Sequence, residues 1–541
     1  MSLVRARWPE ASVVTLADKE SVAGSEPGAE GRTVLVCDSD AAGRPVISTE
    51  LLQQVREQRC DLCVMSYDDR FGVRLWRWRL LPIRAGIPGV VAINCRGAAR
   101  SYRWSTWVLS TLVACSALRL AQPLVRFLRN ALDNSVIAML TVLACGAAVL
   151  RAAGLHPLRR RRAERPKSSL RLFIFIPSFG LGGAQTVLID LLRSMDRRKC
   201  EVSVCTLDEP DKFFEPAVRQ MGVSLTYLSC PRGFPPYWKI IWALTRRLYD
   251  ERPDAAIGWH PWATVFTAIA ASLVGVPRVF QSIQSQSPAR LPAYLPVWQR
   301  PLEMLTARLV DRVIACSEAC REDYMRWGRI PSRKIVTVHN GVDLARVRRP
   351  PEAELRAVRA SLQVEARPLV GIVGRLSAEK DHQTFLEAMR LVHRAVPSVA
   401  AIIIGKGPDE PALRKATERL GLGRVVTFLG APPEIMALLA SLDVLVLSSR
   451  TEGLPTVLLE GQALGVPVVT TDAGGARETV REGETGFIVP CGDSQQLAAR
   501  MIQLLQDEPL RRSLGEKGRA HVFSRFSADR MAADILRLCH V

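Results

Sequence analysis

The chain has 541 residues, of which 48% are hydrophobic and 23% charged, and its formal net charge is +20. That length divides into about three domains, and the apolar share excludes a disordered or collagen-like chain. The basic excess calls for an anionic partner (nucleic acid, phosphorylated substrate or acidic lipid) without choosing among them. Thirteen cysteines are too sparse for a disulfide scaffold, and no doubled CxxC of metal-site spacing occurs. Reduced thiols in a cytosolic compartment are expected.

The first ten residues carry charges and a proline but no apolar core, so they do not read as a secretory signal. Residues 1–100 then alternate short strand-like runs (Thr33 to Cys37, Asp61 to Met65, Val90 to Ile93) with helical stretches such as Ser48 to Gln58. They form a small α/β piece of unassigned role. Cys60 and Cys63 make a lone CxxC at the start of an extended run, where an i, i+3 pair points to opposite faces. It reads as structural.

Residues 101–168 are apolar and basic. Trp104 to Leu118 is a stretch of 15 residues without a charge, and Asn134 to Leu150 one of 17. Both fall short of the roughly 20 residues that span a bilayer. Arg119, Arg126 and Arg129 lie between them, and Arg159 to Arg162, Arg165 and Lys167 follow. Positive charge on every flank suits helices lying in an anionic cytoplasmic leaflet better than a hairpin that exports its loop. Membrane association is expected here, with spanning helices and two ordinary buried helices as alternatives.

From Leu170 onward, strand-like runs alternate with amphipathic helices, the pattern of parallel sheets covered on both faces. The first set runs Leu170 to Ile176, Glu201 to Leu207, Ala255 to Trp259, Arg278 to Gln281, Asp311 to Ala315 and Ile335 to Val338. Its helices include Ala184 to Met195 and Ala263 to Val274. The second set opens at Leu369 to Gly374 and continues through Ala400 to Ile404, Val425 to Leu429, Asp443 to Leu447 and Val466 to Thr470. The turn signal Asn340-Gly341 separates the sets. This gives regions 1–100, 101–168, 169–342 and 343–541, with the last helix returning to the third. Ligands of such sheets bind outside the carboxyl ends of the strands.

Those strand ends carry the chemistry. Gly180, Gly182 and Gly183 follow the first strand and precede a helix, a turn that admits close backbone approach and an anion at the helix N-terminus. In the second set, Gly371-Ile372-Val373-Gly374-Arg375 leads to Lys380, and Gly405-Lys406-Gly407-Pro408 follows the next strand. Glu452-Gly453-Leu454-Pro455-Thr456-Val457 opens a helix, with Pro455 at its start and Glu460 inside it. The first amides of that helix are free donors at its positive end. Glu452 and Glu460 are therefore expected to line one cleft at different depths.

Taken together, residues 170 to about 530 resemble the retaining family 4 glycosyltransferases of the GT-B fold. The match is carried by Gly182-Gly183-Ala184, Asn340-Gly341-Val342-Asp343, Gly374-Arg375-Leu376 with Lys380, Gly405-Lys406-Gly407-Pro408 and the Glu452-to-Glu460 spacing. Gly474-Gly475-Ala476-Arg477-Glu478 and Gly483-Glu484-Thr485-Gly486-Phe487 complete it. The resemblance implies an α/β architecture of two doubly wound Rossmann-like domains facing a cleft, an acceptor-side domain followed by a donor-binding one. It implies that Arg375 and Lys380 grip a donor diphosphate, that Glu460 holds the ribose hydroxyls and that Glu452 contacts the transferred sugar. His260, in Trp259-His260-Pro261, matches an acceptor-side histidine. The implied donor-binding set is Gly182, Gly183, Gly374, Gly405, Gly407, Gly453, Leu454, Thr456, Val457 and Glu460; the implied catalytic set is Glu452, Arg375, Lys380 and His260. The family's further histidine is replaced in Gln281-Ser282-Ile283-Gln284-Ser285, and Asp381 stands where the family prefers glycine.

The expected activity is transfer of a sugar, with retention, from a nucleotide-sugar donor to a lipid-linked or polysaccharide acceptor, in envelope or exopolysaccharide biosynthesis. Front-face displacement assisted by the diphosphate fits the lack of a strong nucleophile candidate. No metal and no cofactor are expected; Asp38-Ser39-Asp40 has metal-site letters but lies in the N-terminal piece. An anionic membrane surface at the cytoplasmic face of the inner membrane is the expected location, and nucleic acid is not an expected partner. Two other readings are a non-catalytic GT-B scaffold in a glycan-assembly complex and a GT-B phosphorylase, which would need a pyridoxal phosphate site.

Overall fold

The computed structural model describes residues 13–18, 33–37, 62–66, 89–93, 99–103, 139–147, 169–180, 182–207, 214–228, 237–287, 299–432 and 434–540. The chain divides into two units, Met1–Asn134 and Ser135–Val541.

In the first unit five strands form one sheet: β1 (Val13–Asp18), β2 (Thr33–Cys37), β3 (Leu62–Ser66), β4 (Gly89–Ile93) and β5 (Ala99–Arg103), in the order β2-β1-β3-β4-β5. The first four run parallel and β5 pairs antiparallel with β4. β5 runs through position 100, where the sequence pattern places a division. Cys60, the Ser48 to Gln58 stretch, Asp38 to Asp40 and Trp104 to Leu118 lie outside the described residues.

The second unit holds two all-parallel sheets. The first contains β6 (Leu170–Ile176), β7 (Cys200–Thr206), β8 (Ser224–Tyr227), β9 (Ala255–Trp259), β10 (Arg278–Ile283), β11 (Arg312–Ala315) and β12 (Ile335–Thr337), ordered β12-β11-β10-β9-β6-β7-β8. The second contains β13 (Leu369–Val373), β14 (Ala400–Ile404), β15 (Val426–Gly430), β16 (Val444–Leu447), β17 (Val468–Thr471) and β18 (Gly486–Val489), ordered β15-β14-β13-β16-β17-β18. Their inner strands are buried end to end, as Ala-Ala-Ile-Ile-Ile of β14 and Val-Leu-Val-Leu of β16 illustrate. Continuous apolar runs are what a sheet covered on both faces demands. In each sheet the direction of winding reverses once, between β6 and β9 and between β13 and β16. Crevices at the carboxyl ends of strands open at such reversals.

The helices that matter for the site are α1 (139–147), α2 (Gly183–Ser194), α3 (Tyr237–Glu251), α4 (Pro261–Leu273), α5 (Glu318–Trp327), α6 (His382–Ala395), α7 (Thr456–Ala463), α8 (Glu508–Arg525) and α9 (Ala528–His540). Two of the apolar clusters belong chiefly to single domains, and a third runs through both, joining Ala315, Cys316 and Val342 to Leu369, Leu454 and Leu458. The last helix crosses back: Met531, Ala532, Ile535 and Cys539 of α9 pack into the core of the first domain beside α2. Ala144 of α1 joins the shared cluster, whereas Met139, Val142 and Leu143 are exposed. Among the described residues no helix is long and apolar enough to cross a membrane.

The crossover is pinned by backbone. Val342 donates its N–H to the Phe526 carbonyl at 2.9 Å, and Ala528 returns one to Val342 at 2.9 Å. A Cβ on Gly341 would stand 2.3 Å from the Ser527 carbonyl oxygen, so only glycine fits between linker and helix. Gly341→Ala is expected to lower stability by about 1–3 kcal/mol through overpacking, read as a fall in the thermal unfolding midpoint; an unchanged midpoint would show that the crossover yields freely.

Candidate functional site

At the first reversal, β6 leads to Gly182 and Gly183 and β9 leads to His260. Trp259, fully buried, donates its indole N–H to the Ala184 carbonyl at 2.9 Å and ties the two strand ends together. Gly182 is extended (φ −177°), and a Cβ on Gly183 would meet nothing within 4 Å. Gly183 is thus not required by packing; its missing side chain leaves open space at a helix start that no side chain caps. His260 sits at φ 89°, ψ 152°, outside the ordinary regions for a side-chain-bearing residue. Strain of that kind concentrates at functional positions. Burial pushes its imidazole below the usual histidine range, which favours a neutral ring.

At the second reversal, the loops after β13, β14 and β16 interlock. A Cβ on Gly405 (φ 143°) would lie 1.9 Å from the Gly374 carbonyl oxygen, and one on Gly407 would lie 2.2 Å from that of Leu376. These two glycines have a packing reason of their own. Lys380 Nζ meets Glu452 Oε1 at 2.6 Å, and the same oxygen accepts from Ser449 Oγ at 2.6 Å. Glu452 is buried, so its carboxylate needs this cation. Arg375 is largely exposed beside it and pairs with Glu379 at 3.1 Å. Asp381 adopts φ 45°, ψ 50°, a left-handed geometry that aspartate tolerates. Its carboxylate caps α6 by accepting from the Thr384 amide at 3.4 Å, accepts from Thr384 Oγ1 at 2.9 Å and holds Arg450 at 2.8 Å. The aspartate therefore replaces the favoured glycine without loss of the turn.

Glu460 lies elsewhere in the same seam. One turn into α7 and buried, it takes Arg346 Nη2 at 2.7 Å. The other partner of Arg346 is Asp190 of α2, gripped through two nitrogens at 3.0 and 2.7 Å. Thus Glu452 and Glu460 each carry a separate cation, and α7 itself has no side-chain cap. Leu454 is core, Thr456 and Val457 are half-buried at the helix start, and Gly453 presses on the first domain, where its Cβ would stand 2.4 Å from the Gln284 carbonyl oxygen.

Several contacts at this seam are invisible to sequence patterns, even where the residues themselves are read. Gln286 accepts from the Thr451 hydroxyl across the domains. Glu478, in the turn Gly474–Thr479, accepts from the amides of Glu318 and Ala319 at 2.8 Å each, capping α5 of the other domain, and meets His339 at 2.8 Å. His382 is buried beside Lys380 with both ring nitrogens unpartnered, and burial together with the lysine charge holds it to about 4. Gln281 bonds inward, to Thr306 at 3.2 Å, and so serves packing. One signal was available: Asp190 is an acid inside the apolar run Val187 to Leu192, and a buried charge must find a partner. Among the described residues no group of His, Cys, Asp and Glu could hold a metal ion.

Residues 181–346 match the family described as Glycosyltransferase Family 4, and residues 356–521 match Glycosyl transferases group 1. The chain belongs to the family 4 glycosyltransferases of the GT-B fold. It is 28% identical over 372 residues to sulfoquinovosyl transferase SQD2 of Arabidopsis thaliana, covering 64% of this chain and 69% of that one. It is 33% identical over 214 residues to a GDP-mannose-dependent phosphatidylinositol monomannoside mannosyltransferase of Mycobacterium tuberculosis, covering 38% and 55%. The chain thus spans about half to two thirds of the length of these curated relatives. Among solved structures, Anabaena HepE in complex with UDP and glucose superposes with a TM-score of 0.60 at 23% identity, over 68% of this chain and 98% of that one. Sucrose-phosphate synthase of Thermosynechococcus elongatus gives 0.60 at 20%, over 69% and 98%. The two Rossmann-like domains of the GT-B fold account for both superpositions.

In this GT-B chain the Glu478 cap couples the domains through charge. Burial raises the carboxyl, but the His339 bond and the two amides outweigh it and hold the group below the usual glutamate range. A depressed folded value means that the stabilisation is complete above the unfolded value, near 4.5, and fades as pH falls through the folded one. Glu478→Gln is expected to cost about 1–3 kcal/mol at pH 7. In urea unfolding, its difference from the parent should shrink as pH drops below about 4.5; a pH-independent difference would exclude the ionised cap.

Proposed function

We propose that this chain transfers a sugar from a nucleotide-sugar donor to a polysaccharide or lipid-linked acceptor, with retention of anomeric configuration, in the synthesis of surface polysaccharide, lipopolysaccharide or glycolipid. The observation that carries the reading is the Lys380–Glu452 pair, set at the carboxyl edge of the second sheet where its winding reverses and facing the first domain. A diphosphate leaving group gains negative charge in the transition state, and a preorganised cation with free helix amides stabilises that charge. Arg375, exposed beside the same loop, is placed to add a second cation. Glu452, held by Lys380 and Ser449, is the group offered to the transferred sugar. Across the seam His260, strained and biased toward neutrality, is offered to the acceptor. With no separate nucleophile placed among these residues, displacement on one face of the sugar, assisted by the departing diphosphate, is the mechanism proposed.

Support for the donor class comes from the neighbours: HepE is solved with UDP and glucose and with UDP-glucose, and the mycobacterial relative is named for GDP-mannose. Polysaccharide and lipopolysaccharide acceptors are suggested by a Salmonella typhi Vi polysaccharide biosynthesis protein, 26% identical over 317 residues, and a Rhizobium meliloti lipopolysaccharide core glycosyltransferase, 34% identical over 181. Peripheral attachment to the cytoplasmic face of a membrane is part of the proposal. It is supported by α1, which leaves Met139, Val142 and Leu143 exposed by 55, 69 and 55% within a strongly basic segment. Neither a metal nor another cofactor is invoked.

A donor screen read out by released nucleoside diphosphate tests the activity. Lys380→Ala and Arg375→Ala are expected to lose about 2–4 kcal/mol of transition-state stabilisation, chiefly in kcat. Unchanged turnover in both variants would remove the diphosphate role from this loop.

A further inference from the structure

The site described so far assigns nothing to Arg346 or Asp190. Arg346 belongs to the linker between the domains, six residues past Asn340 and three past Asp343. Its guanidinium divides between two buried acids from opposite domains: Asp190 of α2, through Nε at 3.0 Å and Nη2 at 2.7 Å, and Glu460 of α7, through Nη2 at 2.7 Å. Asp190 is 1% exposed and Glu460 6%. The Asp343 amide also approaches Asp190, at 3.3 Å, and Arg193 stands 3.8 Å from both Asp190 and Asp343. The bond from Arg346 engages one oxygen of Glu460, Oε1.

We infer that Arg346, anchored by Asp190, is a positioning residue that keeps Glu460 an ionised hydrogen-bond acceptor for the ribose hydroxyls of the donor nucleotide. The inference rests on the proposed nucleotide-sugar activity and on the ribose role that the family 4 resemblance implies for Glu460. A ribose hydroxyl donates, so its partner must present a free acceptor oxygen. A carboxylate fixed at Oε1 by a cation presents Oε2 in a set orientation. A protonated carboxyl in the same place would offer its own proton instead and lose acceptor capacity at that oxygen.

The surroundings leave this duty to Arg346. Burial is the largest influence and holds the Glu460 carboxyl above the usual glutamate range; Arg346 opposes that rise by charge and hydrogen bond, and the Asp190 charge adds to it. No other charged group bears on it among the described residues. Helix α8 packs on α7 through Gly518 against Gln462 and contributes His521, held to about 4 and so neutral; α7 meets β16 through Leu445. The turn Gly474–Thr479 offers the Thr479 carbonyl to Gln462, and its own charges are satisfied elsewhere: Arg477 by Asp472 and Glu478 by His339. The helix Ile435–Ala440 brings Met436, whose sulfur lies 3.9 Å from Arg346. Arg349 binds the Leu464 carbonyl at the far end of α7.

Without the guanidinium, burial and Asp190 both act to protonate Glu460. Ribose binding would then become pH-dependent in the working range, strengthening as pH rises and the carboxyl ionises. The test is calorimetric titration of the full chain with UDP and with GDP, which share the ribose, between pH 6 and pH 9. The parent is expected to show a nearly constant Kd. Arg346→Gln is expected to bind at least tenfold more weakly than the parent at pH 6, with the gap narrowing toward pH 9. Arg346→Lys, which keeps the charge, should stay within about threefold of the parent throughout. Glu460→Gln should bind weakly with no pH dependence. If Glu460→Gln binds both nucleotides like the parent, the ribose role of Glu460 fails. If it weakens binding but Arg346→Gln gives a pH-flat Kd, that role stands and the role of Arg346 is overturned. Should Arg346→Gln not fold, Arg346→Lys decides: a Kd as weak as that of Glu460→Gln overturns the inference.

Discussion

Across the seam of this GT-B unit, backbone touches backbone, and that close approach fixes everything charged around it. Gly453 lies where a Cβ would come within 2.4 Å of the Gln284 carbonyl, and Gly475 where one would come within 2.8 Å of the Ser317 hydroxyl. Gly474 (φ 57°) lies under Gln286, with 2.1 Å between its would-be Cβ and the amide nitrogen. No side chain can be inserted at these points without forcing the domains apart. Glu452, next to Gly453, is therefore delivered to the seam by main-chain position, and only its rotamer is left to Lys380 and Ser449 to fix.

A seam this tight buries carboxylates, and a buried carboxylate is costly unless paired. The protein answers by giving every such acid a cation or a helix end as partner. Glu452 has Lys380; Glu460 and Asp190 share Arg346; Glu478 has the amides at the start of α5 and His339. In two of these cases, the partners come from opposite domains or from the linker. Charge balance and domain closure are then one constraint, since separating the domains would strip Asp190 or Glu478 of a partner. On the proposed function, a diphosphate approaching Lys380 would meet a cation already engaged by a carboxylate, and its binding energy would reflect an exchange of anionic partners as well as the release of water.

Much of the fold was legible because parallel strands buried on both faces are apolar throughout. Ala255–Trp259 and Ala400–Ile404 stand out as unbroken runs, Leu170–Ile176 is interrupted only by Arg171, and all three occur at those limits. Some edge strands were not legible. β8, Ser-Leu-Thr-Tyr, is four residues long and only partly buried, and β18 begins with a glycine. β1 and β5 in the N-terminal sheet were likewise missed, and β5 runs antiparallel where the pattern suggested none. The glycine-rich and charged strand ends were readable because each is local. Their partners were not, because pairing is a long-range property: Asp190 and Arg346 are 156 residues apart, and Glu318 and Glu478 are 160. The expectation that Glu452 and Glu460 would line one cleft at different depths left out the linker arginine that separates their electrostatic environments.

The linker is where backbone packing and charge pairing meet. Asn340 to Val347 is short, yet Gly341 and Val342 lock it to the lead-in of α9, and Val342 belongs to the shared core. Asp343 caps its own turn through the Ala345 amide at 2.9 Å, which fixes the direction in which Arg346 leaves the chain. A hinge would be expected to be loosely held and unburdened; this connection is bonded on both sides and carries a cation shared by two domains. Its rigidity has a physical rationale in that cation. A guanidinium can satisfy two buried acids only while all three groups keep hydrogen-bond distance, so the backbone that presents it must be as well determined as the helices that present the acids. Domain movement in this chain would therefore have to rearrange the Asp190–Arg346–Glu460 cluster itself, rather than pivot about a free joint beside it.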